Sequence, residues 1–173
     1  KLYRNVLREM ETEALEQMKS FYDQFTGELE SHALTAEDLK GGTRGIGSYF
    51  RKLRDGRLSD KDVLNATLKN SLDDAKNWAT KTSPRKNDII HLAETSLLPL
   101  LQDAETFRPR NNKTVNSCRL SLQHLNKLQL LAHIDEEVRE LNREHNRFLL
   151  SDTNALLHNL VRDGDLSLIH ISE

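Results

Sequence analysis

Backbone punctuation is scarce in this chain: 173 residues carry seven glycines and three prolines, so long stretches have nothing to stop a regular helix. Cys118 is the single cysteine, which excludes an intrachain disulfide and points to a reducing compartment. Aromatic residues are 5% of the chain and no apolar run approaches membrane-spanning length, which excludes a transmembrane segment. The N-terminus has no signal-peptide character, there are no internal repeats, and a cytoplasmic location is expected. Nothing matches the GxxxxGK[ST] phosphate loop, and no strand ends in paired acids for Mg²⁺, so the residues present cannot hydrolyse a nucleotide.

What glycine there is sits together. Gly41, Gly42, Gly45 and Gly47 share one seven-residue window that opens onto Tyr49, Phe50, Arg51, Lys52 and Arg54. A glycine loop ahead of a helix can offer free N–H groups, with Arg44 beside them, to an anion such as a phosphate. The competing reading is structural: Thr35 caps a short helical turn, Gly41 and Gly42 stop it in left-handed conformations, and Thr43 caps the next helix.

Hydrophobic spacing is helical throughout. Tyr3, Leu7, Met10, Ala14, Met18, Phe21, Phe25 and Leu29 step by three and four, predicting a first helix of about eight turns. Ile46, Tyr49, Phe50 and Leu53 mark a second. A short helix between Ser59 and Asn70 turns Val63, Leu64 and Leu68 inward, and another around Trp78 ends near Thr82. Ser83 and Pro84 read as an N-cap and a first helical position, starting a stripe of Ile90, Ala93, Leu97, Leu100, Ala104 and Phe107 that Pro99 kinks or breaks. The chain then turns at Arg108, Pro109 and Arg110. A long helix runs from about Lys113 to Phe148, and Ser151 and Asp152 cap a last one. The expected fold is all-α, an irregular bundle of about six to eight helices framed by two long ones.

Charge is unevenly placed. Residues 40–90 hold twelve basic and six acidic side chains, a net charge of +6, whereas residues 1–39 hold four and nine and residues 91–173 hold nine and twelve. A basic centre between acidic flanks suggests a local anion-facing surface, although solvated helix faces carry such excesses too. His91 and Glu94 have the spacing of a metal pair but lack the further ligands such sites need, and Cys118 has no base nearby in sequence. His145 lies on the stripe of the long helix and reads as a core or interface histidine. Ser83, in TSPRK, fits proline-directed phosphorylation as well as capping.

Three stretches, LKGGTRGIGSYFRKL, KNWATKTSPRK and EVRELNREHNRFLLSDTNALLHNLV, together resemble the helical segment of UvrD/RecB-type superfamily 1 DNA helicases. The likeness is greatest to the helicase-nuclease beta-subunit group of Bacteroidetes-like bacteria, and it extends to about Asp165. The resemblance implies a helical insertion subdomain, residues 1–165, from the interior of the first motor domain. No cofactor would bind in this segment, since ATP and Mg²⁺ would sit elsewhere in the parent enzyme. Its partners would be DNA, as a single strand or duplex junction, and the remaining helicase domains, in recombination and break repair. Residues 166–173, reading LSLIHISE, depart from the family pattern and resemble a non-native read-through tail.

On that reading the phosphate-contacting candidates are Arg44, Arg51, Lys52, Arg54, Arg85 and Lys86, with Tyr49 and Trp78 as aromatics able to stack on a base. Core packing competes for both rings. The alternative function is a helical scaffold or protein-interaction module that does not bind nucleic acid.

Overall fold

The computed structural model describes residues 2–170, with side chains described through residue 162. The chain is all-α, and no strand occurs among the described residues. The described residues form six α-helices: α1 (Leu2–Ser31), α2 (Ile46–Arg54), α3 (Asp60–Val63), α4 (Ala66–Asp73), α5 (Lys86–Leu92) and α6 (Leu98–His170). Gly42–Arg44 and Ala75–Trp78 form 3₁₀ turns, and a π-helical turn, Ala93–Leu97, joins α5 to α6. None of the described helices is both long and apolar enough to cross a membrane. The chain divides into two units, residues 1–122 and 123–173.

In the first unit α1 buries the expected stripe, with Leu7, Ala14, Met18, Phe21, Phe25 and Leu29 inward, while Tyr3 and Met10 remain exposed. Ile46, Tyr49, Phe50 and Leu53 of α2 pack against it, and the Phe25 and Phe50 rings stack at 4.2 Å. Apart from Tyr3 and Met10, the predicted stripes of both helices are the buried faces, because each helix has one apolar face.

Between residues 59 and 82 the breaks fall elsewhere than expected. Leu64 is extended and exposed, splitting the predicted helix into α3 and α4. Asn65 causes the restart, since its side chain accepts from the Leu68 N–H at 2.8 Å. Thr35 does not cap a helix: the Asp38 carboxylate accepts from the Thr35 N–H and hydroxyl within a turn. Nor does Thr43 cap α2, which follows Gly45. Likewise α5 starts two residues later than Ser83–Pro84 predicts, because the Ser83 hydroxyl accepts from the Arg85 N–H and keeps that stretch in a turn.

The second stripe is corrected by the π turn. Its wider turn shifts the helical phase, so the buried line runs Leu97, Leu101, Ala104, Arg108, Asn111, Val115 and Cys118, and Phe107 is left 37% exposed. Pro99, predicted to kink or break the helix, does not break it: it lies at the second position of α6, directly after that turn. The predicted turn at Pro109 is also absent, and α6 continues through it. Tertiary bonds on either side hold the helix there: Arg108 donates to the Leu58 carbonyl at 2.6 Å, and the Asn111 amide to Gln17 Oε1 at 2.8 Å. No new cap forms at Ser151 and Asp152, which are helical.

In the second unit, residues 123–162 are exposed apart from the half-buried Leu125, and His145, expected in a core or interface, faces solvent. Short-range ion pairs run along the helix, among them Arg139–Asp135 at 3.1 Å and Arg143–Glu140 at 3.2 Å. The tail expectation, residues 166–173, falls beyond the described side chains, and residues 171–173 lie wholly outside the described residues.

Candidate nucleic-acid interface

The glycine loop is built for packing. Gly41 has φ +83°, and a Cβ on Gly45 would run into the Lys40 carbonyl. Loop N–H groups that an anion would need are turned inward: those of Gly42, Arg44 and Gly45 donate to the carbonyls of Leu39, Gly41 and Gly42. The structural reading of these glycines therefore accounts for them.

The two aromatic candidates lie in the core, which corrects the expectation that they can stack on bases. Tyr49 is 3% exposed and donates through its hydroxyl to Glu105 at 2.9 Å. Burial, then the Glu105 carboxylate beside it, pushes the Tyr49 hydroxyl well above the ordinary tyrosine range. Trp78 is 1% exposed, and its indole N–H donates to the Ser71 carbonyl at 2.9 Å. Neither ring has a face free for a ligand.

Most of the cationic candidates already hold the fold together. Arg51 donates to the Thr43 carbonyl and Lys52 to the Asp62 carbonyl, tying the loops at either end of α2. Arg54 pairs with Asp55 at 2.9 Å and lies over the Tyr22 ring at 5.0 Å. The hydrogen bond to Asp55, then its charge, holds the Arg54 guanidinium above its ordinary value. Arg85 donates to the His32 and Ala33 carbonyls at 2.7 and 2.6 Å, closing the C-terminus of α1. Only Arg44 and Lys86 of the six lack a side-chain partner among the described residues.

Lys86 belongs to a grouping that the sequence pattern does not reveal. Lys40, Lys76, Lys81 and Lys86 line one cleft of about 620 Å³, with Asn77 and Asn87 between them and no carboxylate among its described lining residues. Lys76, Lys81 and Lys86 fall within one eleven-residue stretch, and the fold brings Lys40, from the loop after α1, beside them. The Lys40 N–H donates to the Trp78 carbonyl at 2.8 Å, joining the loop after α1 to the 3₁₀ turn. Asn77 donates to the Asn70 carbonyl at 2.8 Å, fixing that turn on α4. None of the four ammonium groups has a hydrogen-bonded or ionic partner among the described residues. Their one shared signal in the sequence is the basic excess of residues 40–90.

A second cationic centre, also unforeseen, is buried. Arg108 is 1% exposed and bonds Leu58, both oxygens of Glu105 and, at 2.9 Å, Asp60. Burial opposes its charge, but the bonds to Glu105 and Asp60 outweigh that and hold the guanidinium above its ordinary value. With every donor group committed inward, Arg108 is a structural hub and not a ligand site. No known protein family, curated protein or solved structure matches this chain.

Proposed function

We propose that this chain is the DNA-facing helical subdomain of an ATP-dependent DNA helicase or helicase-nuclease of the UvrD/RecB type. ATP and Mg²⁺ would bind in other parts of the parent enzyme, and this segment would guide a single strand or a duplex junction toward the motor. The observation that supports the reading best is the net charge of +6 over residues 40–90, between two acidic flanks. Such a surface attracts phosphates without reading sequence, because Lys and Arg contacts to the backbone carry no base information. With Tyr49 and Trp78 buried, neither of these rings stacks on a base, and the contribution of the basic segment rests on charge.

The test is a salt series. The chain should bind single-stranded and forked DNA weakly, with the logarithm of its affinity falling linearly against the logarithm of salt concentration. Arg44→Ala should weaken that binding without lowering the melting temperature, since the Arg44 side chain ties down no other described residue. Binding that is independent of salt, or undetectable at low salt, would refute the reading.

A second reading, a helical scaffold that engages other proteins, is favoured by one specific feature. Leu131, Ile134, Val138 and Leu141 recur at helical spacing in the second unit and are all exposed. Apolar stripes of this kind ordinarily mark an interaction surface. Concentration-dependent association in sedimentation, lost in Leu131→Ser/Val138→Ser, together with no DNA binding, would establish that reading in place of the first.

A further inference from the structure

We propose that the cleft of Lys40, Lys76, Lys81 and Lys86 is a discrete binding site for two or more adjacent phosphate groups. This deepens the nucleic-acid reading, and rests on it only for the source of the phosphates: a polynucleotide backbone, as against a free polyphosphate. Four lysines line a space of about 620 Å³, within the range of small-ligand sites. No carboxylate among the lining residues compensates them. Of the acids close in sequence, Asp74 caps the 3₁₀ turn by accepting from the Lys76 N–H at 2.9 Å, and Asp88 sits 3.7 Å from Arg85. A cleft lined by four lysines and no carboxylate has a positive local potential, which draws a multivalent anion.

The chemistry of the lining selects the anion. Lysine offers a point charge on a flexible stem, which suits tetrahedral phosphate oxygens at varied positions, and the planar fork that favours a single carboxylate is missing from the cleft. Asn87 can add a neutral hydrogen bond, and the lining contains no aromatic ring that would hold a base. The walls are fixed in advance. The Lys40–Trp78 backbone bond and the buried Trp78 indole anchor one side, and Arg85, bonded to the end of α1, anchors the other. Ordering costs on binding are therefore confined to lysine stems.

The experiment uses the full chain with three probes in low salt: inorganic tripolyphosphate, a short oligothymidylate and an oligoglutamate peptide of similar charge, each followed by calorimetry. The variants are the four single Lys→Gln changes and their combination, with Arg110→Gln/Arg139→Gln/Arg143→Gln/Arg147→Gln, which also removes four charges, as the control for total charge. Tripolyphosphate should bind one to one. The combined lysine variant should lose about tenfold or more in affinity, each exposed charge contributing a few-fold. For oligothymidylate the salt dependence should flatten by up to about one unit for each phosphate no longer neutralised. On the unsubstituted chain, tripolyphosphate should protect these four lysines from amine acylation more than Lys61 or Lys69, a readout that needs no variant to fold.

The outcomes separate the two claims. Oligothymidylate binding that ignores the lysine changes overturns the cleft and leaves the broader DNA-facing surface standing. Lysine-dependent tripolyphosphate binding without any oligothymidylate binding keeps the cleft, assigns it to free polyphosphate and removes the nucleic-acid reading. Oligoglutamate bound as tightly as tripolyphosphate, an equal loss in the arginine control, or no binding to any probe overturns the cleft.

Discussion

Replacing Arg108 by methionine tests the least expected part of the core. The guanidinium is 1% exposed and meets the Leu58 carbonyl at 2.6 Å and the two Glu105 oxygens at 2.9 and 2.6 Å. Methionine fills much the same volume, so the loss is almost wholly electrostatic. Breaking a buried pair by removing one partner costs about 3–5 kcal/mol, because the remaining charge is left uncompensated. Glu105 keeps a side-chain exposure of 21% and the Tyr49 hydroxyl as a donor, which places the expected cost near the lower end, about 3 kcal/mol. That is a large share of the roughly 5–15 kcal/mol that holds a domain together, and corresponds to a fall in Tm of about 6–12 °C. Urea unfolding followed by the fluorescence of Trp78, the single tryptophan, measures it directly. Adding Glu105→Gln to Arg108→Met should recover part of the loss, since a neutral amide still accepts from Tyr49 and leaves no buried charge. A cost below about 1 kcal/mol for Arg108→Met, or a double variant worse than the single, would refute the hub.

Gly45→Ala should cost about 1–3 kcal/mol, because its Cβ would enter the Lys40 carbonyl, whereas Gly27→Ala, with open space around it inside α1, should stabilise by up to about 1 kcal/mol; urea midpoints decide both. The Tyr49 hydroxyl is raised in the folded state, so its contribution is complete below the unfolded value of about 10 and is lost as pH rises beyond it. Stability measured between about pH 9 and 11 should consequently fall less steeply in Tyr49→Phe than in the parent chain. Ending the chain after Leu122 should move the Tm by less than about 5 °C, since the buried cluster lies between Ala14 and Val115.

The parts of the fold that are legible in the sequence are those where a single face decides the outcome. The buried faces of α1 and α2 are foreseen, Tyr3 and Met10 excepted, because apolar spacing fixes which side is buried. Spacing fails where tertiary bonds override local signals. Arg108, between an exposed phenylalanine and a proline, looks like part of a turn; its burial depends on acceptors at Leu58, Asp60 and Glu105, two of them about 50 residues away. The π turn shifts the stripe without a mark in the residue pattern, so the spacing points to Phe107 where Arg108 is the residue buried. The glycine cluster announces a loop, yet whether its N–H groups face a ligand or the chain itself is decided only by geometry. Lys40, Lys76 and Lys81 are invisible for a different reason: each is an ordinary solvated lysine until the fold sets it beside the others.

Arg85 and Lys86 show why basic excess alone is a poor guide to a binding surface. They are neighbours in sequence with the same formal charge, and the sequence offers both to phosphate. Arg85 commits its planar fork to the His32 and Ala33 carbonyls, where Ala33 has the left-handed φ of 50° that glycine usually supplies at a helix end. Its cation also lies against the negative end of α1. Lys86 faces the cleft with no partner of its own among the described residues. Arg85→Gln should therefore lower stability by about 1–2 kcal/mol, through two lost charge-assisted bonds at a partly exposed site, with a small effect on tripolyphosphate affinity measured below the melting range. Lys86→Gln should leave the urea midpoint unchanged and weaken tripolyphosphate binding by a few-fold. If the two variants instead weaken anion binding equally at unchanged stability, the division between structural and available charge is wrong, and the whole basic segment acts as one diffuse surface.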